Sequence, residues 1–117
     1  MSKRAIRKPI DIKGPEPETP MFTLPVLADI LNVTERILRY YHDLGVLVPT
    51  GESAKRKLYS INDVKKAKFI QFLFNDRNLS IAGIKIILQL FDKFNVSPDN
   101  YMELIDELET KTPVKRP

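Results

Sequence analysis

Arg36, Arg39 and Tyr40, followed shortly by Lys55, Arg56 and Lys57, are the side chains of this chain with the most evident chemistry. All lie in residues 33–60, VTERILRYYHDLGVLVPTGESAKRKLYS. At about 100° of turn per residue, Arg36, Arg39, Tyr40 and Asp43 share one helical arc while Ile37, Tyr41 and Leu44 share another. The first face is polar and the second packs. An arginine fork binds a phosphate or the O6/N7 edge of guanine; Tyr40 adds a hydroxyl for phosphate and a ring for a thymine methyl. Lys55-Arg56-Lys57 forms a run without acids. Charge and aromatic rings on two adjacent elements suit a duplex backbone flanking a major groove better than small-molecule chemistry. The expected DNA contacts are Thr34, Arg36, Arg39, Tyr40, Tyr41, Lys55, Arg56, Lys57 and Tyr59. For Tyr41 the ring is expected to pack on the first helix, leaving the hydroxyl to reach phosphate, and Tyr59 is similar. The bland reading of Arg36 and Arg39 is a solvated helix face paired with Glu35 and Asp43 at helical spacing; the basic run that follows argues against it.

Other chemistries find little material. The chain has no cysteine, which removes disulfides, thiolate metal sites and thiol redox sensing and fits a reducing compartment. His42 is the only histidine and has no partner with which to share a metal. No paired nucleophile and base and no glycine-rich phosphate loop can be assembled. The expectation is a protein without catalytic residues, metal or cofactor. A formal charge of +4 and a pI near 9.4 favour polyanionic partners, and the placement of that charge is what informs. With no membrane-length apolar run and no secretory signal pattern, the protein is expected to be cytoplasmic and nucleoid-associated, without membrane contact.

The elements that must position these residues are legible as short helices around a hairpin. Residues 1–21, interrupted by Pro9, Pro15, Pro17 and Pro20, read as a flexible arm whose Lys3, Arg4, Arg7 and Lys8 form a basic cluster. Thr23 caps a helix to about Asn32, with Pro25 tolerated in its first turn and Leu24, Leu27, Ala28 and Leu31 buried. Thr34 caps a second helix that stops at Gly45, a residue suited to the left-handed conformation. Two short helices on so brief a turn read as a helix-turn-helix. Val46, Leu47 and Val48 are expected as a strand, residues 50–55 as a loop, and residues 56–59 as the returning strand of a wing. Ser60 with Asp63 caps a third helix to about Asn78, Ser80 a fourth to about Phe94, and Ser97-Pro98 starts a short amphipathic helix. The expected fold is mostly α: a winged helix-turn-helix with a two-stranded wing, two further core helices and a short C-terminal dimerisation helix. The domain boundaries are 22–95 for the DNA-binding domain, 96–110 for the last helix and 111–117 for a flexible tail.

On FTLPVLADILNVTERILRYYHDLGVLVP, KLYSINDVKKAKFIQFL and LSIAGIKIILQL, in that order from about Phe22 to Leu90, the chain resembles the MerR family of winged-helix transcription regulators. The last segment, with its Ala-Gly pair, is similar to the HspR subgroup of heat-shock repressors. The resemblance implies that the second helix enters the major groove through Arg36, Arg39, Tyr40 and Tyr41. It also implies that Lys57 and its neighbours hold the flanking backbone. Ile37 stands where the family usually has Thr, His42 where Glu is common, and Arg56-Lys57 where a Tyr-Arg pair is typical; these departures bear on base preference.

The fourth helix carries more apolar surface than one core stripe requires: Ile81, Ile84, Ile87, Leu88 and Phe91 form one band, extended by Ile86, Leu90 and Phe94. Ile86, Leu90, Phe94, Tyr101, Leu104, Ile105 and Leu108 are the expected dimerisation residues, and the family resemblance implies a homodimer. Only one short helix follows the four-helix core, so no small-molecule effector site is expected, and RNA polymerase or another protein is an admissible partner. Function is read as sequence-specific transcriptional regulation on a palindromic operator. Two alternatives stay open: an architectural or excisionase-like DNA-bending protein, and a helical protein-interaction adaptor whose basic surface is incidental.

Overall fold

A computed structural model describes residues 16–111 of the chain. The arm apart from its last residues, including its basic cluster, and the tail at 112–117 lie outside the described residues. Helices α1 (Leu24–Leu31) and α2 (Glu35–Asp43) are joined through Asn32, Val33 and Thr34. Asn32 takes the left-handed conformation at φ 57°, which its short polar side chain tolerates. Thr34 starts α2 by accepting the Ile37 amide at 3.2 Å, as the sequence predicts. Thr23 precedes α1 as expected, but its hydroxyl makes no capping bond. Pro25 stands at one of the two positions whose amides a cap hydroxyl normally takes, and it has no N–H to give.

Gly45 ends the helix-turn-helix at φ 81°. The strand expected at Val46, Leu47 and Val48 does not form. The Val46 and Leu47 amides both turn back to the Tyr41 carbonyl, at 3.1 and 3.3 Å, and Pro49 has no amide to offer a ladder. These residues close the end of α2, and Val46 and Leu47 are buried there. The wing starts later, with β1 (Gly51–Ser53) paired antiparallel to β2 (Arg56–Leu58). The pairs are Gly51 with Leu58, Glu52 with Lys57 and Ser53 with Arg56. Ala54 and Lys55 form the tip at φ 52° and 66°, the two-residue, doubly left-handed turn that matches strand twist. Tyr59 then bridges to Phe22, amide to carbonyl in both directions at 2.7 and 2.8 Å, so the chain entering α1 lies beside the wing.

Helix α3 (Ile61–Asn75) opens with the expected capping box, Ser60 accepting the Asp63 amide at 3.1 Å and Asp63 accepting the Ser60 amide at 2.9 Å. It ends before the expected Asn78, which instead turns the chain at φ 54°. Ser80 caps α4 (Ile81–Lys93) through the Gly83 amide at 3.2 Å. A 3₁₀ turn (Pro98–Asn100), rather than the helix itself, follows Ser97, and α5 (Tyr101–Lys111) continues from it.

The core gathers Leu27 and Leu31 of α1, Leu38 and Tyr41 of α2, Leu47, Tyr59, four residues of α3, Ile84 and Tyr101. Each large apolar side chain so buried contributes about 1.5–3 kcal/mol, and α3 supplies the centre with Ala67, Phe69, Ile70 and Leu73. Helix α5 belongs to the same core. Tyr101 is buried with its ring 5.0 Å from Phe69 and 4.8 Å from Phe91, within the range where aromatic pairs attract. Arg77 holds the far end, its Nε and Nη2 on the two carboxylate oxygens of Glu109, each at 2.7 Å. Lys65 pairs with Asp99 in the 3₁₀ turn that precedes α5. Tyr101 and Ile105, expected on a two-fold interface, therefore pack within their own chain, because the aromatic cluster of α3 and α4 is the nearest apolar surface. Leu104 is half-buried, and Leu108 is exposed.

Candidate nucleic-acid interface

Helix α2 is fixed by its apolar side and presents its polar side. Leu38 and Tyr41 are buried, and Tyr41 stacks on Phe74 of α3 with ring centres 5.6 Å apart and planes within 11°. Burial raises the Tyr41 phenol above its ordinary value. The ring thus stacks on α3 within the core cluster that also holds Leu27, Ala28 and Leu31 of α1, the helix on which it is expected to pack. Thr34, Arg36, Arg39 and Tyr40 all reach the surface, with Tyr40 54% exposed.

The wing is set beside this helix by three separate locks. The Thr50 hydroxyl donates to Asp63 Oδ2 at 2.5 Å, and the same oxygen accepts the Ser60 amide at 2.9 Å. The root of the hairpin is thus tied to the first turn of α3 through a buried carboxylate. A side chain on Gly51 would put its Cβ 2.8 Å from Pro20 Cβ, so residue 51 is a close crossing of β1 and the incoming chain, which only glycine permits. The Phe22–Tyr59 bridge closes the other strand.

With those constraints, Arg39 and the wing face each other. Glu35, Arg39, Lys55, Arg56 and Lys57 line one open groove, together with Thr23, Leu24, Pro25 and Tyr59. Tyr59, expected to contact DNA, has its side chain almost wholly buried. Burial, then Asp63, raise its phenol above the ordinary value, while nearby Arg39 pulls it down. Tyr59 thus supports the groove from beneath.

Two acids that sequence reasoning treated lightly stand in this region. Glu35 Oε1 accepts from Arg39 Nη2 at 3.0 Å, one helical turn away; the i, i+4 spacing carried that signal. Glu52 lies opposite Lys57 in the hairpin register, so the run that is acid-free along the chain is not so across the strands. Thr50 was also missed, because only the Ser60–Asp63 half of its network has a sequence signature. Among the described residues no cluster of histidine, cysteine or carboxylates could hold a metal ion, and no helix is long and apolar enough to cross a membrane.

A helix-turn-helix whose second helix shares a groove with a two-stranded basic hairpin defines a winged helix-turn-helix domain. Residues 22–90 match the model of the MerR HTH family regulatory protein, and the chain belongs to this MerR family. The HTH-type transcriptional regulator GlnR of Bacillus anthracis is 36% identical over 69 residues, 59% of this chain and 53% of the relative. The putative heat shock protein HspR of Streptomyces coelicolor is 30% identical over 73 residues, 62% of this chain and 48% of the relative. The chain spans about half the length of the curated relatives it matches.

Proposed function

We propose that this protein is a sequence-specific DNA-binding transcriptional regulator. The observation that carries the reading is the single groove shared by Arg39 and Lys55–Lys57. Helix α2 enters the major groove, where Arg36, Arg39 and Tyr40 meet base edges and inner phosphates, with Thr34 at the entry of the helix. The wing holds the flanking backbone through Lys55, Arg56 and Lys57. Phosphate contacts of this kind position the domain and base contacts select the sequence. Membership of a regulatory family and likeness to a GlnR and an HspR support control of transcription.

The regulator acts as a homodimer on a palindromic operator, with a second copy covering the α4 stripe of Ile86, Leu90 and Phe94. All three side chains are largely exposed, and Leu108 of α5 adds to the apolar surface. Arg39→Ala removes about 1–3 kcal/mol from specific binding and relaxes preference at one base pair. Lys57→Ala weakens all duplexes alike and lowers the salt slope by about 1. Titrations of selected and scrambled duplexes across a salt series test both. If neither change alters affinity while the fold persists, the assignment fails. An architectural protein would instead tolerate mismatches throughout its site, and an adaptor would show no salt-dependent DNA binding.

A further inference from the structure

Glu35 is a carboxylate at the place where a polyanion is expected. It lines the groove with Arg39 and the wing cations, and solvent reaches both members of its ion pair with Arg39. Such an acid opposes non-specific binding in two ways. It repels phosphate directly, and it competes with phosphate for the Arg39 fork. Within a DNA groove a carboxylate finds a favourable partner only where a base offers an amino donor, best met by N4 of cytosine. Arg39 has the complementary need, since its fork fits the O6 and N7 acceptors of guanine.

Resting on the DNA-binding reading above, we propose that Glu35 is a specificity-determining residue that holds Arg39 away from phosphate and yields it to guanine only where a neighbouring cytosine amino group takes the carboxylate. On a matching step the ion pair opens and both charges are satisfied again by bases. On a mismatched step the carboxylate faces acceptors, or it keeps Arg39 and the base contact is lost. Discrimination thus comes from a repulsive element beside an attractive one. Glu35 is the first residue of α2, partly exposed and outside the buried core cluster, so replacing it leaves the core untouched.

The test compares wild type with Glu35→Gln and Glu35→Ala, using bound fragments selected from random DNA and salt titrations on the selected and a scrambled duplex. Both variants are expected to bind scrambled DNA about threefold or more tighter and to lose preference at one G·C position. A freed Arg39 takes a phosphate, so the slope of log K against log salt on scrambled DNA steepens by about 0.9. Unchanged base preferences and salt slope in both variants would overturn the role of Glu35. So would weaker binding to every duplex by variants that melt like wild type. If wild type itself shows no salt-dependent binding, the DNA-binding reading is what fails.

Discussion

The groove side of the molecule and the outer side of α4 are both bare, for opposite physical reasons. On the groove side the exposed groups are charged or polar, guanidinium and ammonium with the Glu35 carboxylate among them, and water satisfies them in the free domain. On α4 the exposed groups are hydrocarbon: Ile86 is 57% exposed, Leu90 49% and Phe94 68%. Covering that surface is favourable by about 25 cal/mol for each Å² removed from water. A charged face is stable in the free domain, whereas an apolar stripe of this kind is the surface that the proposed second copy would cover. The sharpest way to break the contrast is Phe94→Glu with Leu90→Glu. A buried apolar anchor at an interface is worth about 2 kcal/mol or more, so the double variant should sediment as a monomer while melting like wild type. Unchanged sedimentation would show that the stripe is not the dimer surface.

The groove side depends on buried polar chemistry instead. Asp63 Oδ2 serves both the Thr50 hydroxyl and the Ser60 amide. In Asp63→Ala these donors lose a buried acceptor, at about 1–3 kcal/mol, and half of a capping box is lost with it. Urea denaturation should show a loss of about 2–3 kcal/mol. Chemical-shift changes should concentrate in β1 and the first turn of α3. Changes confined to α3 would mean that the hairpin is held by the Phe22–Tyr59 bridge and Pro20 alone.

How much of this was readable beforehand follows from the range of each interaction. The helices announced themselves through local signals: Thr34, Ser60 and Ser80 cap as expected, and Gly45 supplies the left-handed exit. The wing was displaced because Val46-Leu47-Val48 has strand composition, while the competing Tyr41 carbonyl is supplied by a helix end that composition does not reveal. The loop expected at residues 50–55 does contain the tip, but Gly51–Ser53 within it is strand β1; Ala54-Lys55 adopts the turn that Asn-Gly would favour without carrying its signature, so nothing in the sequence marked how tight the reversal is. Periodicity put Arg36, Arg39 and Tyr40 on the polar face of α2, where they are exposed, but it could not name Phe74 as the ring on which Tyr41 stacks. Tyr101 and Ile105 read as an amphipathic stripe, and a stripe does not say whether its own chain or a second copy will cover it.

The wing tip permits a smaller, sharper comparison. Ala54 at φ 52° holds a conformation that costs an ordinary residue about 1–2 kcal/mol, and glycine gives back roughly half of that relief through its extra freedom in the unfolded chain. Ala54→Gly should therefore raise the urea midpoint by an amount equivalent to about 0.5–1 kcal/mol with an unchanged m value. Sedimentation should not move, since the tip contributes no side chain to the α4 stripe. A destabilised variant would indicate that the Ala54 methyl packs against the hairpin more strongly than its backbone is strained.

The smallest expected effect separates the two ends of α5. Its start is held by Tyr101, whose phenol is raised by burial and then by Asp92. Its far end is held by Glu109, lowered from the ordinary 4.5 chiefly by the hydrogen bonds from Arg77. A carboxylate with a depressed folded-state value stabilises above its unfolded value, and that contribution fades as pH falls through the folded one. A tyrosine with a raised value behaves the other way, stabilising below its unfolded value of 10.0 and weakening only as pH climbs beyond it. Acidification below 4.5 should thus loosen the Glu109 end while leaving Tyr101 packed on Phe69 and Phe91. Hydrogen exchange at residues 106–110 should quicken relative to the intrinsic rate, while the ring resonances of Tyr101, Phe69 and Phe91 stay. The salt bridge is exposed, so added salt should shrink the effect. If both ends moved together, α5 would be docking as one unit on its aromatic anchor, with the Arg77 fork contributing nothing separable.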